Sequence, residues 1–185
     1  KSASFGHALG EAYAQGARSG GHVVRMLKLS ELDFDPVLHN GYQQSQVLEH
    51  DLLQAQREIH WAEHLVLVYP VWWGGLPSLL SGFLDRVLLP GFAFKSHGRK
   101  NPANELLRGR TAELLVTMDT PPRYFRWVYG APAHRQMVRT VLAFCGIKTK
   151  RLTEFAPVQT STEEQRQQWL RRRVTGHQPD RRDLQ

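Results

Sequence analysis

The sequence predicts an α/β protein built on an open sheet of parallel strands alternating with helices. Three observations predict it. Leu65-Val66-Leu67-Val68-Tyr69 is a short apolar run, rich in β-branched residues and without polar alternation, which reads as a strand buried on both faces. An amphipathic helix pattern follows, with Leu79, Leu80, Phe83, Leu84, Val87 and Leu88 at helical spacing behind Pro77. The same order recurs in a strand over 111–118, a helix over 133–145 and a strand over 148–158.

The remaining elements read as follows. Phe5, Ala8, Leu9, Ala12, Tyr13 and Gly16 form the apolar face of a first helix, with Ser2 or Ser4 placed to cap it. A Ser-rich turn entering a helix is an ordinary N-cap; its free N–H groups, hydroxyls and positive dipole end also suit a phosphate. After the Gly20-Gly21 turn, residues 22–29 (HVVRMLKL) read as the next strand, and 32–36 as loop. Residues 46–63 read as a helix with Leu48, Leu52, Ala55, Ile59 and Ala62 on one face. Residues 95–104 form a polar loop, solvated in the simplest reading and basic enough to grip a nucleotide phosphate. The helix over 133–145 stops at Gly146. Ser161-Thr162-Glu163-Glu164 resembles a capping box before a last helix over 165–173. Residues 176–185 are polar and are expected to be disordered. With no internal repeat, residues 1–175 read as a single domain.

Two loops stand out. Pro70-Val71-Trp72-Trp73-Gly74-Gly75 follows the first buried strand, and adjacent indoles before two glycines suit a flat ligand that accepts ring stacking. In open α/β sheets, ligands sit outside the carboxyl ends of the strands. The segment 119–130 holds Tyr124, Phe125, Trp127 and Tyr129, four rings in six residues. It is either a satellite apolar cluster or a wall of a pocket on the same rim.

Composition narrows the function. The chain has 185 residues, is 41% hydrophobic and has a formal charge of +7. No stretch is long and apolar enough to span a bilayer as a helix. Cys145 is the one cysteine, so no internal disulfide forms; a reducing cytoplasm suits the chain, and on an apolar helix face the thiol reads as a core residue. The basic residues are dispersed, and Arg171-Arg172-Arg173 closes a helix, where cations complement the dipole. Nucleic acid is therefore not the expected partner; a basic surface suits an enzyme that draws in anionic nucleotides. There is no glycine-rich dinucleotide fingerprint, Walker loop, zinc-protease pattern, Cys/His metal spacing or Gly-x-Ser-x-Gly elbow.

Pro70, Trp73, Gly75 and Pro77, then Gly82-Phe83-x-Asp85-Arg86-Val87, then Gly91-Phe92-Ala93-Phe94, resemble the NAD(P)H:quinone oxidoreductases of the flavodoxin-like fold. The resemblance implies a doubly wound parallel sheet with helices on both faces. It implies FMN, or alternatively FAD, as cofactor and NAD(P)H as electron donor. Two electrons would pass to a quinone or similar electrophile by ping-pong use of one pocket. Ser4 and Phe5 match the family's phosphate turn, with Ser2 beside them, while Gly6 stands where Asn is usual. Pro70, Val71, Trp72, Trp73 and Gly74 would line the isoalloxazine, and Thr117, Met118, Asp119 and Thr120 its pyrimidine end. Asp119-Thr120-Pro121-Pro122 replaces the family's Thr-Thr-Gly-Gly. Tyr124 or Tyr129, with His134, are the candidates for proton relay. Trp73, Phe92 and Phe94 would line the substrate pocket, with Phe94 of an extended segment reaching toward the other chain's flavin in a homodimer. The resemblance places a central strand immediately before the phosphate turn. Residues 1–3 cannot form it, so about ten native residues or more are expected to be missing. A flavin-bearing regulatory subunit of a membrane transporter is the alternative, as for some members of the family.

Overall fold

The computed structural model describes residues 4–41, 44, 46–95 and 104–175. Ser2, residues 96–103 of the polar loop and residues 176–185 lie outside them. Helix α1 (Phe5–Ser19) is capped by Ser4, whose Oγ accepts the His7 N–H at 3.2 Å. Then come α2 (His50–Trp61), β1 (His64–Pro70), α3 (Ser78–Val87) and β2 (Thr111–Thr117). Two short helices follow, α4 (Pro122–Trp127) and α5 (Pro132–Arg135), and α5 runs into a π-helical stretch, Gln136–Leu142. Strand β3 (Lys148–Phe155) and α6 (Glu163–Thr175) complete the order.

The sheet is parallel, in the order β1-β2-β3, with His64 opposite Thr111 and Thr117 opposite Phe155. Strand alternation sends successive side chains to opposite faces. Leu65, Leu67, Leu114 and Val116 pack with α2, α3 and the π-helical stretch. Val66, Val68 and Leu115 pack with Leu9, Tyr13 and Ala17 of α1 and with Trp169 of α6. Helices thus cover both faces, the doubly wound arrangement. Among the described residues, no helix is long and apolar enough to cross a membrane.

Two strand expectations need correction. The fully buried strand is β2, where six consecutive residues after Thr111 are buried; β1 packs on both faces but is mostly half-buried, and among the described residues it is paired along one edge. Residues 22–28 carry no ladder, and the chain closes instead into a 3₁₀ turn at Leu29–Glu31. Val23 is three-quarters exposed, and Met26 and Leu27 are exposed as well. The segment is tied down by its flanks: His22 N–H donates to Ala17, and Arg25 pairs with Glu58 at 2.9 Å and lies over the Trp61 ring. A strand is defined by its neighbour, and among the described residues this run has none.

Helix bounds also shift. Helix α2 starts at His50 rather than 46, because Glu49 is taken up elsewhere. Its carboxylate accepts from Asp35 N–H at 3.2 Å and from Arg86 at 2.8 Å. Arg86 is fully buried in α3, and its guanidinium also donates to the carbonyls of Asp35 and Val47. A Cβ on Gly82 would come within 2.5 Å of Pro36, and Phe83 meets Phe34 edge-on at 6.1 Å. The Gly82-Phe83-x-Asp85-Arg86 motif is therefore a clamp on Phe34, Asp35, Pro36, Val47 and Glu49. Thr162 caps α6, its Oγ1 accepting the Gln165 N–H at 3.2 Å, and the helix extends two residues beyond the expected end.

Candidate functional site

Three backbone segments meet at the carboxyl ends of the strands. The first is the N-terminus of α1. Phe5 packs on Phe155, the last residue of β3, with ring centroids 6.2 Å apart. A Cβ on Gly6 would lie 3.9 Å from Val68. The first-turn N–H groups of a 15-residue helix are oriented for an anion here. Ser4 Oγ takes part in the cap.

The second is the loop after β1. Val71 N–H continues the ladder to the Thr117 carbonyl at 2.8 Å, and Trp72 and Gly75 exchange both backbone bonds, at 3.2 and 2.9 Å. This tight turn needs left-handed backbone at Trp73 (φ 52°) and Gly74 (φ 77°). For tryptophan that conformation is strained, and strain of this kind points to a function for the position. The Trp73 ring is fully exposed and Trp72 more than half exposed, so neither serves as core.

The third is the segment after β2. Thr117 and Met118 are buried, the Met118 carbonyl accepts Val158 N–H at 3.1 Å, and the Asp119 carboxylate accepts Gln159 N–H at 2.6 Å. The expected loop folds from Pro122 into α4. Tyr124 meets Tyr129 edge-on at 5.2 Å, Tyr129 meets Phe125 at 6.4 Å, and Phe125 meets His134 at 5.0 Å. The three candidate relay residues therefore belong to one ring cluster. Tyr124 and Tyr129 are about half exposed and His134 is buried. Phe125, Met118 and Ala133 form the apolar base of this wall.

Sequence reasoning missed Glu154 and Arg126. Glu154 lies at the rim end of β3 with its side chain 5% exposed. His134 Nε2 sits 3.0 Å from its Oε1, and Arg126 Nη2 pairs with its Oε2. The signal was a carboxylate two residues after Leu152 in an inward run, Leu-Thr-Glu-Phe. The segment carrying Phe92 and Phe94 is not extended: Gly91 N–H donates to Phe94 at 2.7 Å and Ala93 N–H to Leu89 at 2.9 Å. Phe92 packs on the main core, and Phe94 meets Phe144 of its own chain edge-on at 4.9 Å.

The donor set fits a flavin nucleotide. A helix N-terminus with a serine cap serves a phosphate, a glycine turn with unpacked indoles serves a flat ring, and ladder-anchored backbone serves its polar edge. The chain is 28% identical over 159 residues to an uncharacterized NAD(P)H oxidoreductase of Haemophilus influenzae, covering 84% of this chain and 78% of that one. It is 30% identical over 141 residues to the human ribosyldihydronicotinamide dehydrogenase [quinone], covering 69% of this chain and 56% of that one. The chain thus spans little more than half the length of the human enzyme. The solved NAD(P)H:quinone oxidoreductase of Methanothermobacter marburgensis shares the fold at a TM-score of 0.77 and 21% identity, over 94% of this chain and 88% of that one. The sequence pattern of one family, described as having a flavodoxin-like fold, matches residues 1–174, and the chain belongs to that family.

Proposed function

We propose that the protein is an NAD(P)H-dependent quinone reductase, with residues 1–175 forming one flavin-binding domain. FMN is the proposed flavin and FAD the alternative. The observation that carries the reading is the exposed, left-handed Trp73 in a glycine turn, set on the same rim as the α1 N-terminus and the Met118–Thr120 backbone. The bound flavin would supply hydride acceptance and donation at its ring nitrogen.

The chain's own residues do the rest. Ser4, Phe5 and the first-turn amides of α1 hold the phosphate end. Pro70, Val71, Trp72, Trp73 and Gly74 line the ring, and Thr117, Met118, Asp119 and Thr120 border its polar edge. Tyr124 and Tyr129 flank the acceptor, and His134 handles its proton. NAD(P)H and the quinone use one pocket in turn, a ping-pong order, and the working form is a homodimer.

Flavin extracted from the purified protein, identified by absorbance and mass, tests the cofactor. Steady-state turnover of menadione with NADH and with NADPH tests the reaction, and parallel double-reciprocal plots are expected. Protein that retains no flavin after reconstitution, or flavoprotein that does not oxidise NAD(P)H in the presence of menadione, overturns the reading. A monomer by sedimentation at micromolar concentration removes the dimer.

A further inference from the structure

A buried carboxylate that the proposed chemistry leaves unused lies behind His134. Glu154 belongs to β3 and stands in register with Val116, one residue before Phe155, whose carbonyl accepts the Met118 N–H at 3.0 Å. Its side chain is 5% exposed and that of His134 10%. Its two oxygens are claimed from different elements. Oε1 faces His134 Nε2 of α5 at 3.0 Å and Arg126 Nε of α4 at 3.3 Å, and Oε2 faces Arg126 Nη2.

An ionised carboxylate only accepts hydrogen bonds, so Nε2 is the nitrogen that carries hydrogen. The neutral ring then has its lone pair on Nδ1. That atom is buried and has no hydrogen-bond partner among the described residues. An unpartnered buried nitrogen is costly, and proteins keep few of them. The fully buried Phe125 ring packs edge-on against the imidazole, with centroids 5.0 Å apart and an interplanar angle of 68°.

We infer that Glu154 is the positioning residue of this site: it holds His134 in the Nε2–H form, leaving the lone pair on the buried Nδ1 for a relay hydroxyl, and ties α4 to the sheet through Arg126. The effect on turnover rests on the reductase reading; the tautomer does not.

The ring nitrogens of His134, read by ¹⁵N NMR at pH about 9, where an ordinary imidazole is neutral, test the tautomer without turnover. The parent is expected to show a single Nε2–H form, and Glu154→Gln a mixture, because an amide both donates and accepts. With menadione, Glu154→Gln is expected to lower kcat roughly 10-fold or more, part of the roughly 100-fold or greater worth of acid–base assistance, and to change KM less. Glu154→Asp, which keeps an acceptor-only group, is expected to recover part of kcat and the single tautomer. Arg126→Gln, which removes only the tie to α4, is expected to keep the tautomer. An Nδ1–H form in the parent, or a Glu154→Gln protein with unchanged tautomer and unchanged kcat, overturns the inference. If Glu154→Gln does not fold, a Glu154→Asp protein with a mixed tautomer overturns it as well. A parent without NAD(P)H turnover defeats the reductase reading alone, and the tautomer then decides Glu154.

Discussion

The backbone N–H of Ala133 donates to the carbonyl of Gly74 at 3.2 Å. One hydrogen bond thus joins the loop after β1 to the segment after β2. A Cβ on Gly74 would stand 3.7 Å from the Pro132 ring, so the contact is close as well as bonded. Ala133 directly precedes His134, and Gly74 directly follows Trp73. The proposed stacking residue and the proposed proton residue are therefore held by the same bond, although 61 positions separate them in sequence.

Trp73 is strained and unpacked, which separates its effects on stability and on binding. Replacing it by glycine relieves a left-handed conformation that costs an L-residue roughly 1–2 kcal/mol, and adds unfolded-state freedom worth roughly 0.4–1 kcal/mol. Trp73→Gly is therefore expected to change the stability of the flavin-free protein by less than about 1 kcal/mol. Flavin affinity is expected to fall by roughly two- to tenfold, the loss of one aromatic contact. Chemical denaturation and flavin fluorescence titration read the two quantities. A large loss of stability with unchanged flavin affinity would make the ring structural.

Arg86 gathers Asp35, Val47 and Glu49 from inside the core. Arg86→Ala leaves two carbonyls and a carboxylate without their partner and is expected to cost about 3 kcal/mol or more. The same clamp sets a pH dependence. Burial alone would raise the Glu49 carboxyl, but hydrogen bonds from its own backbone and from Asp35 N–H, together with Arg86, outweigh it and hold the group below its ordinary value. A depressed acid contributes stability above its unfolded pKa, about 4.3 for glutamate, and loses it as pH falls through the folded value. The thermal midpoint of the parent is expected to drop more steeply below about pH 4.5 than that of Glu49→Gln. Parallel profiles would show that the pair contributes nothing.

Among the described residues, strand β1 is paired along one edge. Glu63 and Val71 face β2, the first accepting Thr111 N–H at 3.0 Å and the second donating to Thr117. Alternation along a strand then turns the N–H groups of Leu65, Leu67 and Tyr69 toward β2 and those of Val66 and Val68 away from it. In hydrogen exchange the amides of Val66 and Val68 are expected to exchange markedly faster than those of Leu67 and Tyr69. Equal protection would mean that the outer edge is paired.

The Cys145 thiol is 2% exposed, and burial pushes it up to about 11. It is expected to resist a disulfide reagent at neutral pH until the protein unfolds, since the thiolate is the reactive form. Titration in buffer and in denaturant checks this. Rapid reaction of the folded protein would place the thiol at the surface.

Sequence alone was enough for β1, α3, β2 and β3, for the Trp72-Trp73-Gly74-Gly75 turn and for a serine cap on α1, which the structure assigns to Ser4 rather than Ser2. Each of these is written locally, in side-chain period, in a glycine that takes a positive φ, or in a hydroxyl three residues before a free N–H. The resemblance carried by residues 70–94 supplied the family on the same local basis. Residues 22–28 have the composition of a strand, yet only a neighbour's ladder makes one, and a neighbour is not encoded in the run itself. The burial of β2 rather than β1 depends in the same way on sheet order. The Phe92–Phe94 segment turns because Gly91 and Ala93 find carbonyls close by, against the extended reading. Glu154 was visible only as one charge in an apolar strand. Its meaning arises where α4 and α5 cross the end of β3 and bring Arg126 and His134 to it. Such convergence costs chain entropy that core packing must offset, so it belongs to the tertiary structure.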